Sequence, residues 1–249
     1  MRSSVCAPVC SIAAAAVATA CLLSLPAAVR ADPVVGQIDT FQDGTTQNWQ
    51  VGPAAPPAAQ PTNIVPGGPN GADDNYLRLT SLGGNGPGSK LSAFNAGPQW
   101  TGNYLAAGVN ALTMDLNNFG PSDLSLRLLV LGPFGPTGPT SLAFTSDAIF
   151  LPAESGWTAV TFLIGPENLT AGFGSITEAL SGASELRLFH NPEPFFLGPG
   201  GNSIPSVQAS LGVDNIRAAA IPEPGTLALA ATGLLPLAGT LVRKRRRNA

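Results

Sequence analysis

The sequence predicts an all-β body, a β-sandwich or jelly roll, between two apolar terminal segments. Apolar and polar residues alternate with period two at residues 112–117 and 124–130, as in a strand with one buried face. Clusters of Gly, Pro and Asn, such as residues 83–88, separate most of the apolar runs. Many short strands between turn signals, with little helical periodicity, are typical of a sandwich.

Eight strands and one helix are predicted along the body. The predicted strands are residues 76–80, 90–94, 112–117, 124–130, 141–145, 157–164, 185–190 and 211–218. Ser175 and Glu178 fit a capping box, which predicts a helix that Gly182 would end. Residues 52–71 are rich in Pro, Ala and Gly and are predicted to form an irregular surface loop within the one domain.

The N-terminus has the pattern of a cleavable signal helix. Arg2 supplies a positive charge, residues 12–25 are apolar, and a small-x-small site at residues 29–31 precedes Asp32. We therefore expect signal peptidase to remove residues 1–31 and the body to begin at Asp32. A permanent transmembrane anchor is the alternative, but the apolar stretch is short and a cleavage site follows it.

All three cysteines lie in the predicted signal peptide, at positions 6, 10 and 21. A lipoprotein signal at Cys21 is an alternative, but the apolar run continues beyond that residue, where a lipoprotein would turn polar. An exported body without cysteine must be stabilised by its core or by a metal rather than by disulfides.

The C-terminal segment contains a short motif, an apolar run and a basic block. Pro222 and Pro224 hold the backbone around Glu223 extended, since proline fixes φ and donates no N–H. Residues 226–242 carry no charge and would span ~25 Å as a helix. Consecutive basic side chains keep such a helix end in the cytoplasm. They are Arg243, Lys244, Arg245, Arg246 and Arg247.

This order of features over residues 221–249 resembles the PEP-CTERM protein-sorting signal of Gram-negative bacteria. The resemblance implies an exosortase as partner, a membrane-embedded transpeptidase that would cut near the Pro-Glu-Pro motif and pass the body outward. We expect an inner-membrane-anchored precursor, and then a protein of the outer surface or of the exopolysaccharide matrix of a biofilm. An ordinary membrane anchor would explain the helix and the basic block but not the motif.

The charge of the body excludes some partners. Between Asp32 and Pro224 there are five basic residues and all fifteen acidic ones, a net charge of −10. Such a body is not expected to bind nucleic acid or an anionic lipid surface through charge. Its electrostatic partners are cations, and calcium is the first of these outside the cell.

Three stretches of the body resemble galactose-binding-like jelly rolls, a group that includes many carbohydrate-binding modules. They are Phe41-Gln42-Asp43-Gly44-Thr45 with Trp49, the segment Gly-Trp-Thr-Ala-Val-Thr-Phe at residues 156–162, and Val213-Asp214-Asn215-Ile216. In that group a structural calcium is often bound between the first and last strands, which would make Asp214 and either Asp39 or Asp43 its ligands. The alternative is that Asp43 makes a turn and Asp214 is a solvated strand residue.

The residues of the body favour binding over catalysis. His190 is the only histidine, and no Gly-x-Ser-x-Gly sequence occurs, so a histidine zinc site, a Cys–His dyad and a serine elbow are all excluded. Trp100 and Tyr104 lie in a polar, Gly-containing segment. Core packing of both is the favoured interpretation, and stacking on sugar rings, which would make them glycan contacts, is the alternative.

Three functions follow from these observations. The preferred one is a non-enzymatic surface or matrix protein with a structural or binding role. The second, a carbohydrate-binding module, requires exposed aromatic side chains. The third, a glycan-active enzyme, requires two carboxylates that face each other in a cleft.

Overall fold

The computed structural model describes residues 32–193 and 204–222. The predicted signal peptide, Glu223, Pro224, the apolar run and the basic block lie outside the described residues, and Pro222 is the one residue of the sorting motif within them.

Fifteen strands and two short α-helices build the described part of the chain. The strands are β1 (Ile38–Asp39), β2 (Trp49–Gln50), β3 (Thr62–Ile64), β4 (Tyr76–Leu82), β5 (Ser92–Asn95), β6 (Ala111–Asn118), β7 (Leu124–Leu131), β8 (Phe134–Gly135), β9 (Gly138–Pro139), β10 (Leu142–Thr145), β11 (Ile149–Leu151), β12 (Thr158–Leu163), β13 (Leu169–Phe173), β14 (Glu185–His190) and β15 (Gln208–Ala219). The helices are α1 (Tyr104–Ala107) and α2 (Ile176–Ser181), and single 3₁₀ turns occur at Pro57–Ala59 and Pro166–Asn168.

The strands form two antiparallel sheets that pack face to face, which confirms the predicted all-β sandwich. The first sheet has the order β12-β6-β15-β4-β3, with β1 also paired to β15. The second has the order β13-β10-β7-β14-β5-β2, with β11 also paired to β7. Strands β8 and β9 form a separate hairpin. Since strands adjacent in a sheet are mostly distant in sequence, the fold depends on long-range pairing.

The main core lies between the two sheets and is built from alternate residues of each strand. On β6, Leu112, Met114 and Leu116 are buried in this core, and the residues between them face outward. A smaller apolar cluster lies on the outer face of the second sheet. It contains Leu129, Leu131, Leu142, Phe144, Phe189 and Ile204.

Every predicted strand corresponds to an observed one, and residues 185–190 match β14 at both ends. The helix prediction is also confirmed, because the Ser175 side chain accepts a hydrogen bond from the backbone N–H of Glu178 at the start of α2. The prediction of an irregular loop at residues 52–71 is wrong in part. Strand β3 lies there and pairs with β4. The sequence does not reveal this strand, because three residues are too few to show alternation.

The last strand contains a bulge, which fits the break in alternation where the apolar residues Val213 and Ile216 are three positions apart. The register between β15 and β6 shifts between Asp214 and Arg217, and Asn215 has a φ of 51°. Beyond the bulge, β15 pairs with β1, with Asp39 opposite Ile216. The first and last strands of the body are therefore neighbours.

Candidate functional site

Trp100 and Tyr104 are both fully buried, so they pack in the core, as the favoured interpretation has it, and the alternative of stacking on sugar rings is wrong. The Trp100 indole Nε1–H donates to Asp39 Oδ2 at 2.7 Å, and the Tyr104 hydroxyl donates to the Trp100 carbonyl at 2.9 Å. Aromatic side chains with a polar atom can enter a core once that atom has a partner. The polar sequence around Trp100 does not reveal this hydrogen bond, because its partner, Asp39, lies 61 residues away.

Asp39 binds two tryptophans inside the sandwich. Its Oδ2 accepts from Trp49 Nε1 at 2.9 Å as well as from Trp100, and the residue is buried. Burial raises the pKa of the Asp39 carboxyl, while the two indole hydrogen bonds lower it. Through Oδ2 this carboxylate joins the first strand to two indoles of the core.

Asp43 lies in an exposed turn, which was the alternative interpretation of Asp43-Gly44. Its carboxylate accepts from the backbone N–H of Thr45 at 2.9 Å and from the Thr45 hydroxyl. The bond from the Thr45 backbone lowers the pKa of the Asp43 carboxyl.

Asp214 lies on the opposite face of the sheet from Asp39. Directly paired residues share a face, so Asp39 lies on the core side with Ile216, while Asp214 lies on the outer side with its partner Asp115. The carboxylates near Asp214 are Asp74 and Asp115, and burial raises the pKa of Asp214 to about 7. The predicted ligand set of Asp39 or Asp43 with Asp214 is therefore not assembled.

No three His, Cys, Asp or Glu side chains within residues 32–193 and 204–222 are grouped so as to hold a metal. Several oxygen atoms lie close together beside the loop between β1 and β2. The Asn63 Nδ2 donates to the carbonyls of Phe41 and Thr45 at 2.7 and 2.8 Å, while its buried Oδ1 has no partner. If the amide rotated, three oxygens would converge there, which a hard cation such as calcium would stabilise.

A groove of about 430 Å³ opens on the outer face of the second sheet, along β5. Phe94 and Ser92 of β5 and Arg187 of β14 contribute its floor, since Ala93, Leu186 and Leu188 between them point into the main core. Its walls come from the loops around Pro53 and Pro87, and Lys90 and Thr80 also line it.

Arg187 is held in a fixed position in this groove. Its guanidinium lies 5.3 Å from the centre of the Phe94 ring. Its Nε and Nη2 both donate to Glu185 Oε1, at 2.8 and 2.6 Å. Phe94 and Arg187 are cross-strand partners, so the pair is set by the register of β5 and β14. Sequence reasoning missed this pair, because alternation predicts which residues share a face but not which strand lies alongside.

The outer face of the first sheet carries an aromatic cluster. The Trp157 ring meets Tyr76 edge-on at 5.3 Å and Phe119 at 6.0 Å, above Gly212. Trp157 therefore lies outside the main core, although it directly precedes a strand. Trp157 precedes β12 and turns outward, where its Nε1 donates to the Gly67 carbonyl at 3.0 Å.

His190 ends β14, and its Nδ1 accepts from the backbone N–H of Ser125 at 2.9 Å. Burial lowers the pKa of this imidazole. His190 is thus a buried residue at the end of a strand.

Comparison of the body with solved structures shows the fold. An exo-β-agarase is similar with a TM-score of 0.50 and 15% identity over 76% of this chain, and the match spans only 26% of the agarase chain. The family 11 carbohydrate-binding module of a cellulosomal cellulase of Clostridium thermocellum gives 0.45 and 11%, over 77% of this chain and 98% of that one. The xylan-binding domain of Paenibacillus barcinonensis Xyn10C gives 0.41 and 14%, over 74% and 99%.

No curated sequence showed significant similarity to the chain. None of the helices in the described part of the chain is long and apolar enough to span a membrane.

The profile of the PEP-CTERM protein-sorting motif matches residues 220–247, which agrees with the resemblance seen in the sequence. This motif implies an exported, membrane-anchored precursor that an exosortase processes. The chain therefore carries a PEP-CTERM sorting motif at its C-terminus, on a body with the jelly-roll β-sandwich fold.

Proposed function

We propose that this protein is exported to the outer surface or extracellular matrix and binds polysaccharide there, without catalysis, through the groove along β5. The observation that carries the proposal is the Phe94–Arg187 pair on the groove floor, 5.3 Å apart. A flat apolar ring packs against the C–H face of a sugar, and a fixed guanidinium donates to its hydroxyl or carboxylate oxygens.

The size and composition of the groove support this function. Ligand sites of ~300–1,000 Å³ usually combine apolar walls with a few fixed polar groups, and this groove has both. Its walls include Val51, Pro53 and Pro87, while Ser92 and Thr80 offer hydroxyls. The groove is open to solvent on the face of a sheet, which suits a chain polymer that extends past both ends.

A binding role fits the groove better than hydrolysis does. Glycoside hydrolysis needs two carboxyl groups on opposite sides of the scissile bond. No Asp or Glu is among the described residues that line the groove. The close pair Asp74 and Asp214 is buried on the other sheet, where a sugar cannot reach it.

Affinity electrophoresis of the full chain in mild detergent, in gels containing different polysaccharides, tests the binding. At least one polysaccharide should retard the protein, and Phe94→Ala should abolish most of the retardation while no sugar is released. The matched control is Phe150→Ala, which removes an exposed phenylalanine from β11. Equal retardation of the two variants would contradict the groove as the site.

The sorting part of the proposal is tested by intact-mass measurement of the exported protein. The mature species should begin near Asp32, after signal peptidase cleavage, and lack residues 227–249. A surface species that retains Arg243–Arg247 would contradict it. Glu223→Ala should leave the protein in the inner membrane, because the uncut apolar segment then acts as an anchor.

A structural calcium ion bound by the oxygens around Asn63 is a further part of the proposal. It is supported by the unpartnered Oδ1 and by the carbonyls of Phe41 and Thr45 that face the same amide. Millimolar calcium should raise the melting temperature above that in chelator, since ligand at a hundredfold excess over Kd stabilises by ~2.7 kcal/mol. Asn63→Ala should remove this response, and an unchanged response in that variant would exclude the site.

A further inference from the structure

The five basic residues of the body are unevenly placed. Lys90 and Arg187 both line the groove along β5, whereas none of the described acidic residues does. The other three have different surroundings. Arg127 donates to backbone carbonyls, Arg78 donates to the Tyr76 hydroxyl, and Arg217 is exposed on the first sheet. In a body of net charge −10, the groove is thus lined by two cations, of which Arg187 is paired with Glu185, and by no described carboxylate.

Arg187 retains binding capacity despite its ion pair. Both of its bonds to Glu185 end on the same carboxylate oxygen, Oε1, so they use only one N–H each from Nε and Nη2. A guanidinium has five N–H groups, which leaves Nη1 and the second N–H of Nη2 for a ligand. Glu185 is largely buried, and with Phe94 it fixes the plane of the guanidinium before a ligand arrives.

Lys90 comes just before β5 and is the second cation that lines the groove. Lys90, Ser92 and Phe94 alternate with Leu91 and Ala93, which are in the core, so the first three share the groove face. Lys90 lies before the start of β5, four positions ahead of Phe94, and lines the same groove. Lys90 is exposed and forms no ion pair with any described residue. Its ammonium is therefore available to a second charge on an extended ligand.

We infer that the groove selects a polysaccharide that carries carboxylates, such as a polyuronate, over a neutral one. The inference rests on the proposed function and names its substrate class. Arginine recognises carboxylate in a planar, charge-assisted geometry, and two separated cations match charges repeated along a polymer. The rest of the body repels a polyanion, so any preference for one must come from a local site and not from overall charge.

The test compares polygalacturonate with its methyl-esterified form, which has the same backbone without the charge. The full chain, in mild detergent, is titrated with each by calorimetry at about 50 mM and about 500 mM salt. The acidic form should bind at least roughly tenfold more tightly at low salt, and high salt should remove most of this difference. Lys90→Gln and Arg187→Gln should each reduce the preference roughly three- to tenfold, while Arg217→Gln should leave it unchanged.

The outcomes separate this inference from the proposed function. Equal or tighter binding of the methyl ester refutes the preference for carboxylates but leaves glycan binding in place. Absence of binding to any polysaccharide refutes both. Because Arg187→Gln leaves Glu185 without its partner and could disturb the fold, Lys90→Gln is the decisive variant. A polyuronate preference that survives Lys90→Gln but falls in Arg217→Gln places the site on the other sheet and overturns the inference.

Discussion

The body should lose stability as the pH rises from mildly acidic to mildly alkaline. Replacing Asp214 with asparagine should remove most of this loss. Asp214 is fully buried beside Asp74 and Asp115, and this burial raises its pKa to about 7 from an ordinary value of 3.8. The hydrogen bond between Asp214 and Asp74 also raises the pKa, because the protonated carboxyl is the donor. Asparagine has nearly the same shape and keeps a donor for Asp74 at every pH.

The direction and size of the effect follow from the pKa. The folded protein holds the Asp214 proton more tightly than the unfolded chain does, so the free energy of unfolding falls as pH rises from about 4 to about 7. Each pH unit in that window costs ~1.4 kcal/mol. Between about pH 5 and pH 8 the loss from Asp214 is therefore ~2–3 kcal/mol at most. The raised pKa of Asp39 acts in the same direction and remains in the variant.

Urea unfolding of the body at these two pH values, with chelator present, measures the effect. The unfolding free energy of the wild type should fall as pH rises, and that of Asp214→Asn should fall much less and exceed the wild type at pH 8. The control is Asp73→Asn, which removes an exposed charge next to Asp74 in the sequence. If the wild type and Asp214→Asn lose the same free energy, Asp214 does not titrate in this window and the reasoning is refuted.

Other predictions concern packing and capping. Trp100→Phe removes one of the two indole donors to the buried Asp39 carboxylate, and should lower the free energy of unfolding by ~1.5–3 kcal/mol in urea titrations. Gly212→Ala places a Cβ within 2.8 Å of the Phe119 and Trp157 rings and should cost ~1–3 kcal/mol. Gly52→Ala, where nothing lies within 4 Å, should melt close to the wild type, and the packing argument fails if the two glycine variants melt alike. Ser175→Ala removes the N-cap of α2 and should cost about 1 kcal/mol, which an unchanged melting curve would contradict.

Local signals in the sequence were sufficient to predict the sandwich, its main strands and the capped helix α2. Alternation revealed β6 and β7, and the spacing of Val213 and Ile216 fits the bulge in β15. These features depend on residues a few positions apart, which one sequence displays directly. The C-terminal sorting motif was also recognisable for this reason, since its parts are contiguous.

The groove could not be predicted, because it depends on which strands are neighbours. Phe94 and Arg187 are 93 positions apart and meet only through the pairing of β5 with β14. For the same reason the sequence does not reveal the partner of the Trp100 indole, which is Asp39 in β1. Asp214 was expected to lie beside Asp39 or Asp43, or else in solvent, but it is buried and its carboxylate neighbours are Asp74 and Asp115.

The most direct test of the central claim is amide hydrogen exchange on the full chain with and without a saturating polysaccharide. Binding in the groove along β5 predicts slower exchange in the segments that carry Val51–Ala55 and Gly86–Phe94, which line it. Amides around Phe119 and Trp157 on the first sheet should exchange at the same rate in both samples. Protection confined to the first sheet, with residues 86–94 unchanged, would contradict the assignment of the groove as the binding site.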